Sequence, residues 1–593
     1  MRMESNSGSW SCAVRMDGLA VFYTGASPRD GLVHTLDGGR GVIFGTIFSG
    51  THENSAIGPI VDRTSTDRII GSRGRDLISD YWGDYVAIFC DNSGVAHVVR
   101  GPATRLPCLR LSESGIDLLC SWVGDALAIS SRSFALDWDY LTAHVVDPVI
   151  GSRTAIDNIT ELACGMRLTR SSTTSEATLW SPFEVAAQSP IEDAAAALAA
   201  LNNATRQSVR AWGSQHKRIL LYLSGGLDSS IVLGCLRQTL PDLSIVCVTE
   251  HSPGVNTDER VFAEIAATQA GCELVARERT SNFDMSALLQ SVVAVRPEAN
   301  VRRAELSQFE AQMAKRHGAS AVFTGVGGDE VFCGGDARFC AADFLHHHSP
   351  RPEFISIAAN VAQSEGITVW KALRTARRWE AMKHPEMPIS VACASRSLVT
   401  TETLERARLF KKQHDSFASF ERSDDYALGK LWQIYSILQG GYFYDPLCPD
   451  GAPPQIEPLL SQPILDVCLR TPSYVMLPGA RDRALARRAF ADILPSVIAR
   501  RFSKGGIEEH SRAALHHNQA FVKEFLLDGR LASKGILDRV RLEEALCGAS
   551  IKALNVSSEL FHYLAVESWI RVLESEFDRR PLHSGAPAYA ATG

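Results

Sequence analysis

The sequence lacks any run of roughly 18 uninterrupted apolar residues, the length a helix needs to cross a membrane, so no helical span is expected. The stretch Met1 to Trp10 is polar and has no apolar signal-peptide core. There is no basic excess. Lys and Arg number 60 against 67 Asp and Glu, a net charge of −7, which argues against a dedicated nucleic-acid binder. None of the 14 cysteines forms a Cys-x-x-Cys pair, which weakens zinc and thioredoxin-type readings. Several sit in apolar runs, as in Ile88-Phe89-Cys90 and Ile245-Val246-Cys247-Val248. They read as reduced, buried thiols and therefore point to the cytoplasm. No internal repeat is visible, and no Gly-Lys-Ser/Thr of a Walker A loop follows any strand.

What remains is an ordinary globular composition, 45% hydrophobic and 21% charged, which excludes disordered, collagenous and coiled-coil chains. A length of 593 residues accommodates two to four domains. The first 180 or so residues read as β-rich. Gly18 to Tyr23 and Gly41 to Phe48 are short apolar runs. Tyr85 to Cys90 and Val95 to Arg100 flank Asp91-Asn92-Ser93-Gly94 as a hairpin, and Leu118 to Val123 is a further strand. Trp180-Ser181-Pro182 marks a boundary, and Ile191 to Trp212 turns Ala-rich and helical. Strands then alternate with helices: 219–223, helix 229–238, strand 243–248, helix 258–270, helix 305–317, strand 321–324. This order predicts a parallel sheet with helices on its faces. Helical patterns dominate from about residue 350. Residues 439–454 read as a Gly/Pro-rich loop that either covers the site as a lid or is plain surface. The tail after Pro581 reads as disordered.

The chemistry-bearing segment is Ser224-Gly225-Gly226-Leu227-Asp228-Ser229-Ser230, which follows a buried strand and opens a helix. Glycines let the backbone approach an anion, and hydroxyls and helix N-terminal amides donate to phosphate oxygens. Asp228 fits such a site as a Mg²⁺ ligand, because the cation bridges carboxylate and phosphates. The segment Thr324-Gly325-Val326-Gly327-Gly328-Asp329-Glu330 ends the next plausible strand. Ligands in open parallel sheets bind beyond the carboxyl ends of strands, so Asp228 and Asp329 are expected to share one Mg²⁺-nucleotide. His346-His347-His348 cannot all face one ion from a regular element and reads as a solvated loop. Lys371, Arg374, Arg377 and Arg378 read as a solvent-facing basic cluster, with peptide binding as the alternative.

These residues resemble the asparagine synthetase superfamily. Ser224 to Ser230 looks like its pyrophosphate loop. Gly325 to Gly334 resembles its Gly-x-Gly-x-Asp-Glu-x-x-x-Gly element, and Asp258-Glu259-Arg260 its Asp-Glu-Arg. Arg487-Arg488-Ala489-Phe490, Leu494-Pro495 and Lys504-Gly505-Gly506 are similar to its closing segment. Gly83-Asp84-Tyr85-Val86, Arg100-Gly101-Pro102 and Leu106-Pro107 match its N-terminal half. The resemblance covers about residues 10–570. It implies an α+β N-terminal domain at 1–182, a degenerate Ntn-type amidotransferase sandwich. At 183–580 it implies an α/β PP-loop ATP pyrophosphatase domain with a parallel sheet and extra helices, followed by a disordered tail at 581–593. The implied chemistry is carboxylate adenylation with ATP and Mg²⁺, which screens the triphosphate and stabilises the leaving pyrophosphate. Ser224, Gly225, Gly226, Leu227, Asp228, Ser229, Ser230, Val248, Gly327 and Gly328 are the implied nucleotide contacts. Asp228 and Asp329 are the implied metal ligands, and Lys504 matches the family's catalytic lysine. Glu457 lies near the family's site glutamate, offset by about three residues. A surface carboxylate is the alternative there.

Departures from the family pattern narrow the expectation. The chain begins Met1-Arg2-Met3-Glu4 and its first cysteine is Cys12, so the N-terminal nucleophile of the glutamine-dependent enzymes is missing. The full Arg-Gly-Pro-Asp glutamine-binding segment is missing too. Val326 stands where β-lactam synthetases carry a tyrosine, and Gly335 replaces the tyrosine after the Asp-Glu element. Pro458 to Pro463, Leu469 to Pro472, Arg481 to Arg488 and Ser503 to Gly506 look like lasso peptide cyclases. The expected reaction is adenylation of an internal Asp or Glu of a ribosomal precursor peptide, then macrolactam closure by the peptide's N-terminal amine. The implied partners are that core peptide, a leader peptidase and a leader-recognition protein, with no nucleic acid and no membrane. An ammonia-dependent asparagine synthetase, a β-lactam-type synthetase and an inactive peptide-binding scaffold are the rival readings.

Overall fold

The computed structural model describes residues 10–24, 32–50, 62–148, 151–252, 258–279, 284–288, 293–297, 304–334, 337–381, 393–414, 425–440, 453–501, 508–547 and 554–579. In the N-terminal half, β1 (Ser11–Met16) and β2 (Leu19–Tyr23) form a hairpin. β3 (Val33–Thr35), β4 (Gly41–Ser49), β5 (Tyr81–Cys90), β6 (Ala96–Arg100), β10 (Met166–Arg170) and β11 (Thr174–Thr178) make a six-stranded antiparallel sheet, ordered β11-β10-β6-β5-β4-β3. The hairpin expected at Asp91 is present. Asp91 Oδ1 accepts from the amides of Ser93 at 2.9 Å and Val95 at 3.1 Å, an Asx turn that reverses the chain. β7 (Leu109–Glu113), β8 (Ile116–Cys120) and β9 (Ile159–Glu161) form a second antiparallel sheet. The strand expected at Leu118 to Val123 stops at Cys120. Val123 instead opens the helix Val123–Ile129, because it and Leu127 turn into the core at helical spacing.

The C-terminal half is built on a five-stranded parallel sheet. Its order is β14 (Glu273–Glu278), β13 (Ser244–His251), β12 (Arg218–Tyr222), β15 (Val322–Phe323), β16 (Gln455–Ile456). Ile219, Leu220 and Leu221 are fully buried, as a strand covered on both faces requires. Helices α1 (Ala194–Gly213), α2 (Leu227–Thr239), α3 (Arg260–Gln269) and α4 (Ala304–His317) are the alternating partners the sequence predicts. Asp193 caps α1 by accepting from the Ala196 amide at 2.7 Å. The two outer strands, β14 and β16, escaped the sequence reading. β14 is half-exposed and carries Glu273, Arg277 and Glu278, and β16 is two residues long, too short for a period.

One core joins Leu36, Ile43, Tyr85 and Phe89 of the N-terminal half to Leu201, Leu221, Ile231 and Leu465 of the C-terminal half. A second joins Leu109, Leu111 and Tyr140 to Leu526, Tyr563 and Trp569. Among the described residues every cysteine is free and most are buried. No helix among them is long and apolar enough to cross a membrane. Residues 441–452 of the expected loop and the whole expected tail, 581–593, lie outside the described residues.

Candidate active site

β12 runs into α2 through Leu223-Ser224-Gly225-Gly226. Gly225 has φ +77°, and a Cβ there would sit 2.7 Å from the Glu259 carbonyl and 2.9 Å from the Ala263 amide, so only glycine fits. Gly226 caps α2 with no side-chain hydrogen bond, which leaves the positive end of the helix facing the loop. Ser224 Oγ accepts from the Gly226 amide at 3.3 Å and lies 3.2 Å from Ser229 Oγ. Ser230 turns inward and donates to the Gly226 carbonyl at 2.7 Å.

The second glycine loop leaves β15 and enters the single turn α5 (Gly328–Val331) directly against the first. A Cβ at Gly325 would fall 2.4 Å from the Ser229 nitrogen, and one at Gly328 would fall 2.4 Å from Asp228 Cγ. The glycines therefore let two backbones touch, and the contact brings Asp228 and Asp329 together. One nitrogen, Arg483 Nη1, donates to Asp228 Oδ2 and to Asp329 Oδ1, each at 2.6 Å. Arg483 is 6% exposed and left-handed, with φ +49°. Its Nη2 also lies 2.9 Å from Asp482 Oδ2. Burial works against the Arg483 charge, yet Asp228, Asp329 and Asp482 outweigh it and push its pKa up.

The segment from Arg481 to Arg501 straps this site. Arg487 Nη1 donates to the carbonyls of Ile498 and Ala499, both at 3.1 Å. Arg501 donates to the Gly225 carbonyl at 3.4 Å, pairs with Glu259 and lies 3.9 Å over the Phe262 ring. Asp258 pairs with Arg260, which holds the Asp258 carboxyl below its ordinary range. Glu457 follows β16 at the carboxyl end of the sheet. It is not a surface carboxylate: its side chain is 3% exposed and pairs with Arg105 of the N-terminal half at 3.2 Å. The Val248 side chain is buried beside Leu220, Val246 and Val322, and its carbonyl accepts from the Leu223 amide at 2.8 Å. Lys504, with Gly505 and Gly506, lies outside the described residues, as does Gly335.

The histidine triplet is not a loop. His346 and His347 end the helix α6 (Cys340–His347), and His348 caps it, 3.2 Å from both the Tyr474 hydroxyl and Glu192 Oε2. The basic cluster lies on α7 (Val369–Glu380), where Lys371, Arg374, Arg377 and Arg378 are exposed. Among the described residues no group of three or more His, Cys, Asp or Glu side chains could hold a metal. Asp228 and Asp329 supply two carboxylates around one cation position. That count suits Mg²⁺, which keeps several waters and takes one or two carboxylates plus phosphate oxygens. Sequence reasoning missed Arg483, Arg501 and Arg105 as site residues. Arg483 lies within the Arg481 to Arg488 segment, but no local pattern reveals which arginine bridges two distant carboxylates.

The asparagine synthase family model matches residues 200–428 and 456–571. No curated protein matches the chain. Among solved structures, the chain is similar to the glutamine-dependent NAD⁺ synthetase from Acinetobacter baumannii in complex with ADP, at 11% identity and a TM-score of 0.17, over 61% of this chain and 88% of that one.

Proposed function

Because the chain belongs to the asparagine synthase family, whose model spans more than half of it, we propose that it is an ATP-dependent amide ligase, and specifically a lasso peptide cyclase. The observation that carries the ligase reading is the meeting of Asp228 and Asp329 at the mouth of the Ser224–Ser230 loop, beyond the carboxyl ends of parallel strands. Ser224, Ser229 and the N-terminus of α2 bind the departing pyrophosphate. Asp228 and Asp329 would hold a Mg²⁺ ion, which when bound would supply screening of the triphosphate charge. Lys504 stabilises the charge that develops at the α-phosphate. Glu457, held by Arg105, borders the site from the β16 side.

In this reading the substrate is a core peptide freed by a leader peptidase and presented with a leader-recognition protein in the cytoplasm. The enzyme adenylates an internal Asp or Glu side chain, and the peptide's N-terminal amine attacks it. Holding the threaded peptide makes that attack intramolecular, worth up to roughly 7–11 kcal/mol. In this reading the N-terminal half, residues 1–182, acts as a retained Ntn-type scaffold. The aliphatic side chain at Val326 speaks against a β-lactam product.

The test is mass spectrometry of ATP products with a leaderless core peptide, and in parallel with free aspartate and ammonia. We expect AMP, pyrophosphate and a peptide lighter by one water, all lost in Asp228→Ala. Asparagine from the second reaction with no peptide product would sink the cyclase reading and make the protein an ammonia-using synthetase.

A further inference from the structure

Two carboxylate oxygens from separate loops both lie 2.6 Å from one nitrogen of Arg483. That nitrogen stands where a bridging cation would stand. Mg²⁺ needs its oxygens at about 2.0–2.1 Å in near-octahedral array, so the ion and the guanidinium cannot both hold Asp228 and Asp329. The arginine is also provided with a second seat. Its Nε and Nη2 both lie 2.9 Å from Asp482 Oδ2. Asp482 is itself steadied by Arg487, whose Nε donates to its carbonyl at 2.9 Å and whose Nη2 lies 3.4 Å from its carboxylate. A guanidinium presents five donors in a rigid fork. It can therefore release the two site carboxylates while keeping Asp482.

We propose that Arg483 is the resident cation of the nucleotide-free site. It holds Asp228 and Asp329 together in the absence of metal and competes with free Mg²⁺. It surrenders them when Mg²⁺ arrives with the triphosphate, whose charge then faces the guanidinium. Metal and nucleotide thus enter together, and the bare site binds free divalent ions poorly. Arg483 is a positioning residue in this scheme. The inference deepens the ligase reading and rests on it for the identity of the metal site.

The experiment is Mn²⁺ binding, followed by electron paramagnetic resonance, to the full-length nucleotide-free protein. Wild type, Arg483→Gln and Arg483→Gln/Asp228→Asn are compared. Arg483→Gln is expected to bind one Mn²⁺ at least ten-fold more tightly than wild type, and the double variant to lose that gain. Equal affinity in wild type and Arg483→Gln overturns the proposal. Thermal unfolding gives an independent readout. In EDTA Arg483→Gln is expected to melt below wild type, and Mn²⁺ to raise its Tm by more than it raises that of wild type. Equal shifts overturn the proposal as well. Should Arg483→Gln not fold, Arg483→Lys serves, because a single ammonium is a point charge that cannot span both site carboxylates and Asp482. It is expected to bind Mn²⁺ more tightly than wild type, and equal affinity again overturns the proposal. Neither readout uses ATP. Failure of wild type to cleave ATP with any acceptor would defeat the ligase reading and leave the Mn²⁺ comparison standing.

Discussion

Gly328 shows how a single hydrogen can hold a site open. A Cβ there would lie 2.4 Å from Asp228 Cγ and 2.6 Å from Oδ1, so Gly328→Ala must push the carboxylate off its position. Overpacking of this kind costs about 1–3 kcal/mol. We expect at least a ten-fold loss of AMP formation with a lowered Tm. Gly71→Ala is the control, since a Cβ at Gly71 meets nothing within 4 Å. An unchanged rate in Gly328→Ala would show that Asp228 does not need its observed place. The glycine loops were legible in the sequence because strand, turn and helix start are contiguous, and each glycine's task is local. Arg483 was not legible. It lies 255 positions from Asp228 and 154 from Asp329, and only the closed fold makes one nitrogen their common neighbour.

Among the elements, α8 (Gln462–Arg470) wedges between the halves and carries a carboxyl with a displaced pKa. Burial pushes Asp466 up to about 6, against the smaller opposing effects of Trp180, Gln462 and Arg470. Trp180 Nε1 donates to its Oδ1 at 3.1 Å. The folded protein therefore holds the proton more firmly than the unfolded chain. The stability from this group is present below pH 4 and is lost as pH rises to about 6. Asp466→Asn keeps the acceptor and removes the charge. It should raise stability by up to about 3 kcal/mol at pH 8, at 1.36 kcal/mol per pKa unit, and by little near pH 4. Calorimetry across that range checks the slope, and a gain equal at both ends would refute it. Element identity was readable where burial is two-sided, as in β12 and β13, because such strands are unbroken apolar runs. It was not readable for β14, whose outer edge faces solvent and carries charge. Nor was it readable for β16, which is a strand only because β15 lies beside it.

Across the whole molecule, the two halves are bound by contacts that neither could replace. Phe48 and Trp82 pack on Trp212 at 5.0 and 6.3 Å between ring centroids. Gln462 donates to the Ile78 carbonyl at 3.1 Å, and Lys411 pairs with Asp147 in the interior. Glu161 lies buried between Arg100 and Arg296. Separating the halves would break these buried pairs and expose to water the apolar side chains of the two cores that the halves share. We expect the full chain to unfold in one calorimetric transition, and residues 1–182 and 183–593 expressed apart to show no cooperative melting. Two transitions in the full chain, or a sharp melt in either piece, would contradict this. The sequence by itself determined the alternating α/β half, the Ser224–Ser230 loop and the second glycine loop, because each depends on neighbours within about ten residues. Only the tertiary structure decided that Glu457 is buried against Arg105, that His346 and His347 end a helix that His348 caps, and that one nitrogen of Arg483 joins Asp228 to Asp329. Those facts are set by distances between residues far apart in the chain, which no local pattern of side chains encodes.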